Sequence, residues 1–310
     1  MLYLTEADVE ALLGPDDAVE IVEACFRRLA AGAVENRPRY RLGLDDGAMA
    51  VMAAADLELG YAGLKAYGAF PGAGARFAVL LFDARRPELV AVIDADRLGQ
   101  LRTGAASGVA ARHLARPEAR TLGVIGCGWQ AESQVACIRA AVPAIDSVVA
   151  YCRTESRLDA FCARTGAEAG ETHRDAGEAD VVVTVTTSKD PVLRGEWLRP
   201  GALVCAVGAN DPSARELDNA VLERAAFVCC DSREQSRLES GDLREPIEQG
   251  LLDWLEVHEL QDVVAGQVQG RHDPEDVVLF KSNGIAAWDV AMAAAAVERA
   301  RERGIGRELG

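Results

Sequence analysis

Three groups of residues in this chain have types and spacings that could do chemistry. The first is a lysine. Of 33 basic residues only Lys65, Lys189 and Lys281 are lysines, so arginine serves wherever a simple positive charge suffices. A lysine kept at 65, within the strand-like run 63–67, points to a task needing a compact ammonium that can give up its proton; the plainer alternative is an edge-strand lysine. The second group is arginines. Period 2 over residues 37–44 puts Arg37, Arg39 and Arg41 on one face and Tyr40, Leu42 and Leu44 on the other, which makes either a solvated surface or an anion site. Arg102-Thr103 lies among Gly, Ala and Ser, which leaves room for a ligand to come close; a surface arginine would look the same.

The third group is Gly126-Cys127-Gly128-Trp129-Gln130-Ala131, which follows the apolar run of Leu122, Val124 and Ile125. This fits G-x-G-x-x-A, the turn from a first parallel strand into a helix that cradles a dinucleotide pyrophosphate. Gly126 allows the tight turn, Gly128 lets the backbone approach the phosphates, and small Ala131 lets the helix pack on its strand. The anion then meets unpaired N–H groups at the positive end of the helix dipole.

The elements that must position these groups fall into two patterns. Thr5 is a candidate cap for a first short helix, and 15–31 is a second, with apolar residues at helical spacing and Gly32 beyond its end. Strand-like segments follow at 37–44, 48–54, 61–67, 76–83 and 89–94, punctuated by Gly, Pro and Asp as in an antiparallel or mixed sheet. A small-residue helix over 95–115 leads to a boundary at 116–119. Beyond it strands alternate with helices: 122–125, 148–151, 180–185, 203–207, 227–231 and 277–281. That alternation predicts a parallel, doubly wound sheet. The fold class expected is therefore α/β, with an N-terminal α/β unit over 1–116 and a dinucleotide-binding Rossmann unit over 117–284. An Ala-rich helix within 285–310 is expected to pack back on the first unit. Asn210 and Ser282 each follow a strand of the second pattern, where ligands of doubly wound folds bind.

Composition excludes several classes. A net charge of −16 opposes nucleic acid and anionic membrane as partners, and makes any basic cluster a local reversal of the field. No apolar run approaches the roughly 18–20 residues that span a bilayer, and the N-terminus lacks a basic leader region. Eight cysteines show no C-x-x-C spacing, so neither a metal site nor a disulfide frame is expected, and the location expected is cytoplasmic. The four histidines, 113, 173, 258 and 272, sit among charged neighbours and read as surface or structural.

Taken together, the ordered motifs RPRYRL, GLKAY, LRTGAASGVAARHLAR, IGCGWQA, AYCRT, TVTTSKDPVL, PGALVCAVGAN with RELD, and LFKSNGIAAWD resemble the ornithine cyclodeaminase/mu-crystallin family over almost the whole chain. The resemblance implies a homodimer whose N-terminal domain binds substrate and dimerises, and a Rossmann domain carrying NAD(H) or NADP(H). It assigns Arg41, Lys65 and Arg102 to a substrate carboxylate. Gln130 and Ala131 are placed at the pyrophosphate, and Thr186 and the strand end at Val207 along the cofactor. Thr103, Gly126, Gly128 and Ser282 complete the expected cofactor set.

Two positions then discriminate. Cyclodeaminases of the family carry an Asp six residues before the Glu of E-L-D; counting back from Glu216 gives Asn210, so the acid–base carboxylate is absent. The turn after the second Rossmann strand, Tyr151-Cys152-Arg153-Thr154, has no acid before Glu155, which favours NADP(H), with NAD(H) as the alternative. The function expected is an NAD(P)H-dependent oxidoreductase acting on a small α-imino or α-amino acid. In it Lys65, its pKa lowered by two arginines, donates a proton and Asn210 orients a water or the nicotinamide. The alternatives are an amino-acid cyclodeaminase and a crystallin-like binding protein of low turnover.

Overall fold

In the computed structural model residues 1–70, 74–86 and 88–310 are described. The chain divides into two compact units, residues 1–102 with 285–310, and residues 103–284. The division falls between Arg102 and Thr103, inside the helix Asp96–Leu114, not at the 116–119 segment where the sequence placed it. A helix that continues through a boundary leaves no composition change to mark it.

The first unit is built on a seven-stranded mixed sheet, in the order Arg307–Glu308, Leu2–Leu4, Leu89–Asp94, Gly74–Asp83, Tyr61–Phe70, Gly47–Asp56, Val34–Leu44. All neighbours are antiparallel except Leu2–Leu4 beside Leu89–Asp94. Thr5 caps the helix Glu6–Leu12 through a reciprocal pair: its hydroxyl accepts from Asp8 N, and Asp8 Oδ2 accepts from Thr5 N at 2.9 Å. From the same short helix Glu6 accepts from the N–H groups of Asp96 and Arg97 at 2.7 and 2.8 Å, which satisfies the first turn of the helix that carries Arg102.

Helices Pro15–Ala30 and Ala286–Arg303 pack together, and the latter also lies along the central strands of the sheet. Between Ala286 and Val297 only Ala295 is not fully buried, which explains why so Ala-rich a helix needs little polar surface. On the opposite face of the sheet Val51, Ala53, Leu64, Ala66 and Leu80 are only partly buried, and Tyr40, Leu42, Leu44 and Met49 are 64, 44, 46 and 40 % exposed. That face is an apolar surface open to solvent.

The second unit is an eight-stranded, wholly parallel sheet in the order Val257–Glu259, Ala225–Cys230, Val277–Lys281, Leu203–Ala206, Val181–Thr184, Thr121–Ile125, Ser147–Tyr151, Glu168–Ala169. Strand order reverses between Thr121–Ile125 and Val181–Thr184, so a crevice is expected at their carboxyl ends. The short strands Leu2–Leu4, Glu168–Ala169, Val257–Glu259 and Arg307–Glu308 are absent from the sequence reading, because two or three residues carry no measurable period.

Gly123, inside the first parallel strand, shows how tightly this sheet is covered. A Cβ there would lie 1.7 Å from the backbone oxygen of Ala176. Gly123→Ala is expected to destabilise the chain by about 3 kcal/mol, since a backbone atom cannot rotate out of the way. Urea denaturation of the variant checks this, and an unchanged midpoint contradicts it.

Candidate active site

Each unit holds one cluster with chemical potential. In the first, strand Tyr61–Phe70 presents Lys65 to the face covered by helix Ala286–Arg303. Lys65 Nζ lies 3.0 Å from Asp289 Oδ1 and 2.9 Å from Oδ2. Arg102 Nε donates to the same Oδ1 at 3.2 Å. The side chains of Lys65 and Asp289 are 2 and 1 % exposed. Aromatic rings frame the cluster: the Arg102 guanidinium lies 5.7 Å from the centre of Trp288, and Lys65 Nζ 5.8 Å from that of Phe77. Trp288 is fixed in turn by an edge-on contact with Phe26.

Two cations sharing one carboxylate leave surplus positive charge whenever Lys65 is protonated. Burial pushes the Lys65 ammonium down from its ordinary 10.5 to about 7; Arg102 and Arg39 push the same way, and Asp289 opposes them. An amine so poised exchanges its proton near neutral pH. The sequence reading expected this direction from like charge alone, but burial is the larger cause. Asp289 was not foreseen as a site residue, although it closes the LFKSNGIAAWD motif. An acid in the first turn of an otherwise alanine-rich helix was the available signal.

The three arginines of the first long strand do not share a face. The pairing shifts by one residue between Arg37, opposite Ala53, and Tyr40, opposite Val51, so a bulge breaks the period. Arg37 then faces away and pairs with Glu35 at the surface. Arg39 becomes the buried one, at 8 %, and is the arginine whose charge acts on Lys65. Arg41 is exposed, one cross-strand row along from Lys65.

In the second unit a cavity of about 240 Å³ opens at the point where the strand order reverses. Gly126, Gly128, Arg153, Thr154 and Thr186 line it, joined by Arg157 and His173, which the sequence reading did not place there. Burial, then the charge of Arg153, lowers the pKa of His173, which favours a neutral ring. Gly126 has φ +113°, and a Cβ on it would lie 2.5 Å from Val185 O. At Gly128 a Cβ would meet nothing within 4 Å. Helix Trp129–Ala141 begins there with no side-chain cap, so its first N–H groups look into the turn. On its first turn the buried Gln130 Oε1 has no hydrogen-bond partner, and Ala131 is buried against the sheet. Open space and uncapped N–H donors fit a phosphate-bearing dinucleotide.

Buried carboxylates hold the loops around this cavity. Glu216 accepts from Thr186 N and Oγ1 at 2.6 and 2.7 Å, from Thr184 Oγ1 at 3.0 Å, and from Gly208 N at 2.7 Å. Asp242 accepts from Glu216 N at 2.7 Å and pairs with Lys281 at 3.2 Å; Lys281 in turn donates to Ala209 O at 2.6 Å. Asp231 accepts from Ser282 Oγ, Asn283 N and Gly284 N at 3.0, 2.7 and 2.6 Å. The Ser282 hydroxyl therefore donates to a carboxylate of a neighbouring loop, and the residue is buried and outside the lining of this cavity. Thr103 is buried, and Val207 is half-buried at its strand end; neither lines the cavity. Asn210 is exposed in the loop after Leu203–Ala206. The adjacent Asp211 accepts from Ser213 N and Oγ at 2.8 and 2.6 Å within its own turn. Of the three lysines, Lys65 and Lys281 are buried against aspartates, and Lys189 is exposed.

The family model described as ornithine cyclodeaminase/mu-crystallin matches residues 1–304. The chain is 34 % identical to the alanine dehydrogenase of Archaeoglobus fulgidus over 319 residues, covering 99 % of this chain and 98 % of that one. It superposes on the Δ1-pyrroline-2-carboxylate reductase of Thermococcus litoralis, solved with NADH and L-proline, with a TM-score of 0.94 at 29 % identity, over all of both chains. An archaeal alanine dehydrogenase dimer with bound NAD matches with a TM-score of 0.93 at 34 % identity, over 100 % of this chain and 99 % of that one.

Three lysines make the Lys65 proton directly observable. In protein labelled with ¹³C-lysine, the signal lost in Lys65→Met is expected to titrate at about 7. In Asp289→Asn that midpoint is expected to move lower, because the one opposing charge is gone. A wild-type midpoint above about 9 contradicts a buried, repelled ammonium.

Proposed function

Because this chain belongs to the ornithine cyclodeaminase/mu-crystallin family, and is an NAD(P)H-dependent oxidoreductase of its amino-acid dehydrogenase and imine reductase type, we propose that it reduces the C=N bond of a small α-imino acid with NADPH as preferred donor. The observation that carries this reading is Asp289 shared by Lys65 and Arg102, a buried cluster with surplus positive charge in a protein of net charge −16.

Arg102 holds the substrate carboxylate by charge-assisted hydrogen bonds, and Arg39, in place of the expected Arg41, adds positive charge from the strand. Lys65 delivers a proton to the substrate nitrogen and recovers it from solvent; its lowered pKa suits both steps near neutral pH. Asp289 keeps Lys65 and Arg102 in register. A bound nicotinamide supplies the hydride. Asn210 orients by hydrogen bonding and cannot cycle a proton, which separates this chain from cyclodeaminases.

The preference for NADPH rests on the adenosine end of the cavity. Arg153 and Arg157 line it, and no acidic residue does so among the described residues. A 2′-phosphate finds charge partners there, whereas NAD-selective turns present a carboxylate to the ribose. The relatives above were solved with NADH or NAD, so the two arginines carry this departure. The open apolar sheet face of the first unit, with Tyr40, Leu42 and Met49 exposed, is covered by a second copy in a homodimer.

Steady-state assays test the reading. NADPH oxidation with a cyclic ketimine carboxylate is expected, and no proline from ornithine supplied with NAD. Stoichiometric proline and ammonia would return the chain to the cyclodeaminases. In Arg153→Asp the preference in kcat/KM is expected to swing towards NADH; a wild type that already prefers NADH contradicts the role given to Arg153. Gly128→Val is expected to keep its melting temperature, since the new side chain enters open space. It is also expected to lose dinucleotide affinity by about 100-fold or more in calorimetric titration; wild-type affinity in that variant would rule out the phosphate cradle.

A further inference from the structure

Five of the eight cysteines, Cys25, Cys137, Cys205, Cys229 and Cys230, are buried. Of the three that reach solvent, Cys127, Cys152 and Cys162, the first two stand at the dinucleotide cavity of the second unit. Cys127 sits between the two glycines of the turn, and Cys152 directly follows strand Ser147–Tyr151. Gly126 N donates to Tyr151 O at 2.9 Å, so the two backbones adjoin just before both cysteines. Cys127 and Cys152 both line the cavity, near enough for each thiol to act on the other's charge.

We propose that Cys127 and Cys152 are a redox modification site, closing to a reversible disulfide under a hydroperoxide oxidant and thereby shutting the dinucleotide cavity. Burial and the neighbouring Cys152 hold the Cys127 thiol above its ordinary range, so it stays protonated and the attack belongs to Cys152. The Cys152 sulfur attacks the O–O bond: an S–O bond forms, and the alcohol or water leaves with the thiol proton. Sulfur is oxidised to a sulfenic acid and the peroxide is reduced. The Cys127 sulfur then displaces the hydroxyl; the S–S bond forms, and the Cys127 proton leaves with the hydroxyl as water. The crosslink ties the glycine turn to the end of the neighbouring strand and fills space left open at the cavity mouth. A dithiol reverses it.

The effect on ligand rests on the dinucleotide reading of the cavity, whereas formation of the bond does not. The full chain is treated with hydrogen peroxide and mapped by mass spectrometry. A Cys127–Cys152 disulfide is expected, persisting in Cys162→Ser and suppressed by saturating NADPH during oxidation. Titration of NADPH is expected to show affinity weakened at least about tenfold by peroxide, restored by dithiothreitol, and unaltered by peroxide in Cys152→Ser. A map showing both thiols free, over-oxidised or joined to Cys162 overturns the proposal and leaves the cofactor reading standing. A disulfide with unchanged affinity overturns the closure. Reduced protein that binds no dinucleotide overturns the cofactor reading, while the map still decides the disulfide.

Discussion

The first unit depends on how one carboxylate is divided between two cations. Asp289, on the helix that closes the chain, accepts from Lys65 on a central strand and from Arg102 near the division between the units. Three segments far apart in sequence meet at two oxygen atoms. Removing any charge there leaves another buried and poorly matched, which costs more than a surface pair ever returns. The same arrangement keeps the ammonium from being fully neutralised.

The second unit uses buried carboxylates differently. Glu216, Asp231 and Asp242 accept mainly from backbone N–H groups and nearby hydroxyls at the carboxyl ends of the strands. Loops there have no ladder partners of their own, and each buried N–H needs an acceptor. A carboxylate reaching two loops at once meets that need and fixes their spacing. Burial raises the pKa of Glu216 and Asp231, and the converging donors offset it. Rigid loops around an open cavity are what a pre-formed ligand site requires.

Much of this was legible beforehand. The parallel sheet follows from alternating periods, and the glycine turn from G-x-G-x-x-A standing between a strand and a helix. The scarcity of lysine draws attention to position 65, which is buried beside Asp289. What escaped was set by tertiary contact. The bulge between Arg37 and Tyr40 exchanges which arginine is buried, and no local pattern announces a bulge. Asp289 lies 224 residues from Lys65, a pairing invisible to spacing. The hydrogen bond from Ser282 to Asp231, 51 residues away, is equally invisible to spacing. The boundary misplaced to 116–119 reflects a helix that runs through the division without a change of composition.

The lysine distribution also shapes how this protein meets reagents. With Lys65 and Lys281 enclosed and Lys189 alone exposed, the folded surface offers acylating or crosslinking chemistry a single side-chain amine. Arginine, which does not lose its proton, carries the rest of the basic surface and is inert to such electrophiles. Amine-directed immobilisation would therefore orient the molecule through Lys189 and the N-terminus. Acylation appearing at Lys65 would report that the first unit had opened.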